Sequence, residues 1–234
     1  MKNCISFLLL SVMIAFQANA HFSLGYSLGY GSYKMNDMKV FLDDMVNVMR
    51  YQLPGIPVDV VDHFPGFITH GLDLSYRIKR HEIGLRGTYL TTGGKIAYSD
   101  YTGEYSGKIL LNGFCLGANY RFHFPVADFD KNGSLGLFVE LSPGITFSKL
   151  KSKEYLKIFG QRQDADENLN FKAKGAFLFP QLGIRWFTTK HIGIQFSGGY
   201  FFQFGSHLKF NGVDTKIKSD WSGVRMNGGL FFSW

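Results

Sequence analysis

The segment HFSLGYSLGY, residues 21–30, decides the fold. Its even positions, Phe22, Leu24, Tyr26, Leu28 and Tyr30, are large and apolar, and Ser23, Gly25, Ser27 and Gly29 between them are small. Successive side chains of a strand point to opposite faces, so a period of two makes a ribbon with one greasy face and one thin face. What that greasy face meets is the question for the rest of the chain.

The pattern recurs. Ile68, Leu72, Leu74, Tyr76 and Ile78 alternate with Thr69, Gly71, Asp73, Ser75 and Arg77; Ile83, Leu85 and Tyr89 oppose Gly84, Arg86 and Thr88. Phe114, Leu116, Ala118, Tyr120 and Phe122 alternate with Gly113, Cys115, Gly117, Asn119 and Arg121. Further segments run over 135–142, 178–186, 192–204 and 224–234, giving eight candidate strands. The composition agrees, with 28 Gly, 24 Phe and 12 Tyr against 6 Pro.

In a secreted sandwich the apolar faces would pack against each other. Here they are long and carry aromatics near their ends, as girdles around a lipid-facing band do. The opposite faces are dominated by Gly and Ser with single charges, which suits the narrow lumen of a small barrel. The links after Lys79, Phe122 and Phe187 are short or moderate. Those before Phe67 and after Thr91, Leu150 and Gly205 are long and polar. This alternation puts the short turns and both termini on one side and the long loops on the other. The expected fold is all-β: an antiparallel, eight-stranded transmembrane β-barrel with a short helix in its first extracellular loop. A ten-stranded count would need loop three to cross the membrane, and KSKEYLKIFGQRQ (151–163) is too charged for lipid.

The last strand, VRMNGGLFFSW (224–234), keeps the alternation to the final residue. Phe232 and Trp234 lie on its apolar phase, and there the chain resembles bacterial outer-membrane β-barrels of the eight-stranded OmpA/OmpX-like group. In that family such an ending is the assembly signal, usually closing on Phe where this chain has Trp234. The resemblance covers residues 21–234 in layout. It implies export to the outer membrane and contact with its lipids, including lipopolysaccharide. It also implies passage through a periplasmic chaperone and the barrel-assembly machinery. It implies no particular activity.

Residues 1–20, MKNCISFLLLSVMIAFQANA, have the basic start, apolar run and small-residue site of a signal peptide cleaved before His21. The apolar run is shorter than the roughly 20 residues a spanning helix needs. Cys4 leaves with it, so Cys115 stands alone and the expected barrel, 21–234, has no internal disulfide. The formal net charge of +7 suits an anionic surface or ligand. Nucleic acid is not an expected partner, since no binding motif is present, and the barrel is expected to be a monomer.

In the first long loop, NDMKVFLDDMVNVMR (36–50) places Met38, Phe41 or Leu42, Met45 and Val48 or Met49 at helical spacing, with Asn36 or Asp37 as cap. An amphipathic helix over the barrel mouth follows from that period. A sharper reading of the methionines is a ligand gate or partner surface. Loop two (91–108) reads as an extended hairpin rich in Gly, Tyr and Thr. Asn211-Gly212 is a two-residue hairpin turn in loop four.

The turn DFDKNG (128–133) imitates the start of a calcium loop but lacks a Glu at the twelfth position, where Val139 stands. No metal and no cofactor are expected. No Ser, His and acid share a lumen phase: Ser206 and His207 point opposite ways and His70 lies on the lipid phase. An enzyme, such as a lipid A-modifying one, is therefore not expected.

On the lumen phase lie Asp73, Arg77, Arg86, Arg121, Glu140, Arg185 and Arg225, which a narrow barrel must pair or hydrate. Phe138, Phe179, Phe201 and Phe231 share that phase and would fill space. A packed plug and a gated path for a small anion both fit this set. The expected function is accordingly a surface or structural role, or binding through the loops. The alternative is a narrow conduit or carrier for a small or hydrophobic ligand.

Overall fold

The computed structural model describes residues 20–52, 58–99, 103–129, 133–158, 161–165, 171–210 and 212–234. The expected signal peptide falls almost wholly outside these residues, as do Asp130 and Asn132 of the calcium-like turn and the tip of loop three. In chain order come β1 (Ala20–Gly31), the helix α1 (Asn36–Gln52), β2 (Asp59–His63), β3 (Phe67–Ile78) and β4 (His81–Ser99). Then follow β5 (Gly103–Phe129), β6 (Gly133–Ile158), β7 (Gln161–Ala165) and β8 (Phe171–Phe187). The chain ends with β9 (Ile192–Phe204), β10 (His207–Phe210), β11 (Val213–Lys218) and β12 (Gly223–Ser233).

Eight strands close a ring, each antiparallel to both neighbours: β1-β3-β4-β5-β6-β8-β9-β12 and back to β1. Closure joins the two chain ends. Leu24 faces Phe232 and Tyr26 faces Leu230, so the bulky residues of β1 and β12 share the outer surface. Closure also leaves no unpaired edge within the band, as a backbone in hydrocarbon requires. The four other strands lie at the loop end: β2 pairs with β4, β7 with β6, and the β10–β11 hairpin with β8. Gly212 takes φ +88° in that hairpin, a conformation that favours glycine.

The outward residues find no second sheet. Leu182, Phe196, Met226 and Leu230 are 66%, 63%, 66% and 62% exposed. An apolar belt this continuous has hydrocarbon as its solvent. At the turn end it is edged by Phe22, Tyr120, Phe124, Trp186, Phe232 and Trp234, where Trp234 stacks on Phe22 at 6.1 Å. At the loop end Tyr30, Phe67, Tyr89, Phe114, Phe147 and Phe204 form the second aromatic edge.

Above that second edge the alternation inverts. On β5, Phe114, Leu116 and Tyr120 face out within the belt while Asn119 and Arg121 face in. Nearer the loops Lys108 faces out while Ile109 and Leu111 are buried. On β6, Lys149, Lys151 and Lys153 are exposed and Leu150 is buried; on β8, Lys172 and Lys174 are exposed and Ala173 is buried. The inversion marks the level at which the barrel's surroundings change from lipid to water. Above it the burial of apolar side chains points inward again.

Candidate functional site

The lumen has two storeys. The one at the turn end is a lattice of charges built from residues directly opposite one another in the sheet. Asp73 faces Arg86, Glu82 faces Arg121, Arg121 faces Glu140, and Arg185 faces Gln195. Arg121, 1% exposed, is the hub. Its Nη2 donates to Asp73 at 2.5 Å, its Nη1 to Glu82 at 2.5 Å, and its Nε to Glu140. Arg86 bridges Asp73 at 2.6 Å and Glu140 at 2.6 Å, and Arg185 donates to Glu82 at 2.6 Å.

Neutral groups take up the remaining lone pairs. Ser142 Oγ and Gln181 Nε2 donate to Glu140, each at 2.6 Å. Asn119 Nδ2 donates to Asp73 at 3.0 Å, and Ser75 Oγ to Glu82 at 2.6 Å. His123 Nε2 lies 2.7 Å from Glu82. Each carboxylate thus meets guanidinium and neutral donors, the condition under which buried charges persist. Phe138 and Phe231 fill the gaps, with the Arg185 guanidinium 4.4 Å from the Phe231 ring centre.

Of the seven charged residues read from the phase, five meet here: Asp73, Arg86, Arg121, Glu140 and Arg185. Arg77 does not. It sits at the turn-end rim, where its Nε donates to the Lys79 carbonyl at 2.9 Å, and it joins no ion pair among the described residues. Arg225 is buried, but in the other storey. The phase missed Glu82 and His123, both buried lattice members.

The loop-end storey is apolar. Leu90, Ile96, Ile109, Leu111, Leu150, Phe177, Phe179, Phe201 and Leu208 line it, and α1 closes it from above. Met38 and Leu42 are fully buried, while Phe41, Met45 and Met49 pack more loosely on the same cluster. Met35 and Val46 complete the buried stripe, and Val48 is 55% exposed. Asp37 does not cap its own helix; its Oδ2 accepts the Lys218 backbone N–H at 3.1 Å and ties α1 to β11. On the other flank Arg50 pairs with Asp59 at 2.5 Å, and His63 lies 2.9 Å from Asp43.

Between the β10–β11 hairpin and β12, residues 219–222 dip back into the barrel mouth. Trp221 is fully buried there, its Nε1 donating to Ser148 Oγ at 2.9 Å and its ring meeting Tyr33 edge-on at 4.9 Å. Gly113 opposite makes room: a Cβ there would sit 3.0 Å from the indole. Tyr33 has its phenol pushed up to about 12, chiefly by burial. Tyr105, on the ribbon of β5 beyond the belt, is likewise pushed up to about 12 by burial and by Glu154.

Among the described residues no group of His, Cys, Asp and Glu could hold a metal ion. Ser206 Oγ donates to the Ser219 carbonyl at 2.8 Å, while His207 is exposed on the outer side of β10. His70 lies on the lipid face, 2.9 Å from the Tyr26 hydroxyl. No base stands beside a nucleophile in these three positions.

No family model matches the chain, and no curated protein matches it either. Solved structures do. The chain is similar in fold to eight-stranded outer-membrane barrels. Neisserial surface protein A matches at 10% identity and a TM-score of 0.45 over 92% of this chain and 97% of that one. The N-terminal β-barrel domain of Pseudomonas aeruginosa OprF matches at 11% and 0.37, over 92% and 98%. The outer membrane protein OprG of the same organism matches at 10% and 0.38, over 93% and 96%. The ring of strand registers, independent of these likenesses, defines the barrel.

Proposed function

We propose that the protein is a closed, non-enzymatic outer-membrane barrel that anchors a rigid loop layer at the cell surface, where that layer makes the binding contacts. One observation carries this reading: the lumen is filled from the turn end to the loop end, first by the charge lattice and then by the capped apolar core. A barrel so plugged has nothing to gain from a pore, whereas the same rigidity holds β2, β7, the β4–β5 ribbon and the β10–β11 hairpin in fixed places. On this reading a signal peptide is removed, the short turns and both termini are periplasmic and the long loops are extracellular. Phe232 and Trp234 serve the barrel-assembly machinery after a periplasmic chaperone has held the chain.

Lipopolysaccharide is the partner that surface charge favours. Lys108, Lys149, Lys151, Lys153, Lys172 and Lys174 stand exposed on three adjacent strands just above the aromatic edge, with Lys174 Nζ 5.8 Å from the Phe147 ring centre. That is the height of the headgroups, and clustered cations there attract phosphate. The neighbouring flank, α1 and β2 beside β4, carries Asp43, Asp44, Asp59 and Asp62.

The test is reconstitution in planar bilayers together with protease shaving of intact cells. The expected result is no conductance steps, a heat-modifiable band on gels and cleavage confined to the loop end. Stepwise conductance or uptake of a small solute would overturn the anchor in favour of the conduit. For the lipid contact, Lys149→Gln with Lys151→Gln and Lys172→Gln should reduce co-purifying phosphorylated glycolipid without changing gel mobility.

A further inference from the structure

Arg225 is the buried guanidinium of the lumen that faces no carboxylate among the described residues. The lattice below it is balanced, Arg86, Arg121 and Arg185 standing against Asp73, Glu82 and Glu140. Arg225 is therefore an excess positive charge, 2% exposed. Its Nη2 donates to the Trp221 carbonyl at a long 3.4 Å, its other polar neighbour is the neutral Cys115 thiol, and its Nε has no partner. The Phe201 ring centre lies 3.4 Å from its Cζ and that of Phe179 at 5.7 Å. Aromatic faces soften a cation's burial but supply no counter-charge, and a charge taken from water without one is costly.

A small cavity lies between Arg225 and Arg86 of the lattice. Ser27, Thr88, Ser197 and Asn227 line it together with Arg225 and Arg86. None of the first four has a side-chain hydrogen-bond partner among the described residues, so three hydroxyls and an amide are free to turn donors toward its centre. The cavity is about 10 Å³, room for a single water-sized species and too small for sulfate or phosphate.

From the unpaired guanidinium, the ring of free donors and the size, we infer that this cavity binds one monatomic halide, chloride in the cell, as the counter-ion of Arg225. The ion neutralises the cation whose position fixes the returning segment at Trp221, and so joins the two storeys.

The experiment refolds the full mature chain into detergent micelles in sodium chloride, bromide or gluconate at equal ionic strength. The urea midpoint of the wild type should rise with the logarithm of halide concentration, as for any ligand bound only by the folded state. That rise should be absent in Arg225→Met. Should Arg225→Met fail to fold, Thr88→Val with Ser197→Ala keeps every charge and should lose the same halide dependence. Crystals grown in bromide should show one anomalous peak in the cavity. A halide dependence identical in wild type and variants, or a cavity holding only water in bromide crystals, would overturn the assignment.

Discussion

Below the second aromatic edge the barrel is greasy outside and ionic inside; above it the barrel is ionic outside and greasy inside. One strand passes through both regimes. β5 carries Arg121 inward and Tyr120 outward in the first, Leu111 inward and Lys108 outward in the second. The solvent sets the choice. In the belt hydrocarbon takes the apolar side chains, so the lumen receives what lipid refuses. A narrow lumen accepts charges only when they are mutually satisfied. Above the belt water stands outside, and burial of apolar area under α1 again drives packing. The two storeys should therefore fail in different ways.

Removing the hub of the lattice should do most damage. Arg121→Met leaves the buried carboxylates Asp73, Glu82 and Glu140 short of a guanidinium. Breaking a buried ionic set from one side costs about 3–5 kcal/mol. Urea unfolding followed by gel mobility should show the whole barrel destabilised, with loop cleavage and barrel loss at one midpoint. Trp221→Ala should also cost about 3 kcal/mol, the ordinary cost of emptying a large buried site. Its effect should be confined to the upper storey: protease should reach α1 and the 219–222 segment while the heat-modifiable barrel survives. A shared midpoint for that variant would mean that the storeys are one cooperative unit.

The lower storey is largely legible in sequence and the upper is not, for the same reason. A lattice built of cross-strand neighbours follows from alternation alone, so Asp73, Arg86, Arg121, Glu140 and Arg185 can be read from phase. Glu82 and His123 obey that phase too, but each lies one residue outside the segments read as alternating, which end at Ile83 and Phe122 although Phe124 continues the outward face. Carrying the phase to the turns would have included them. Arg225 shares the phase and not the lattice, because register along the ring lifts it to the level of Phe179 and Phe201. Trp221 had no periodic signal at all: four residues that fold back into a barrel mouth are placed by what they meet there. The helix was legible as a stripe, and its partners on β2, β4 and β11 were not.

Alkali offers a third way to separate the storeys. The phenols of Tyr33 and Tyr105 are pushed up to about 12 from a usual value near 10, and both belong to the loop end. A neutral group whose folded value is raised adds stability that is full below pH 10 and is lost as pH rises from 10 to 12. Two pH units on Tyr33 alone correspond to about 3 kcal/mol. Phenolate absorbance and protease sensitivity of α1 should rise together across that window, with the barrel band still present. Loss of the band first would show that alkali acts on the lattice instead.

The smallest effect should come from the residue that most resembles the lattice in sequence. Arg77 lies opposite Glu82 in register and on the same inward phase as Asp73, yet its guanidinium turns to the Lys79 carbonyl at the open turn-end rim. Water reaches that rim, so both arginine and a neutral replacement remain solvated. Arg77→Gln should therefore shift stability by no more than about 0.5 kcal/mol, as surface substitutions do, against several for Arg121→Met. The pair differs in depth and not in charge, phase or strand type. Were Arg77→Gln to cost as much as Arg121→Met, the lattice would extend to the rim, and position in the lumen would no longer explain which arginines hold the barrel together.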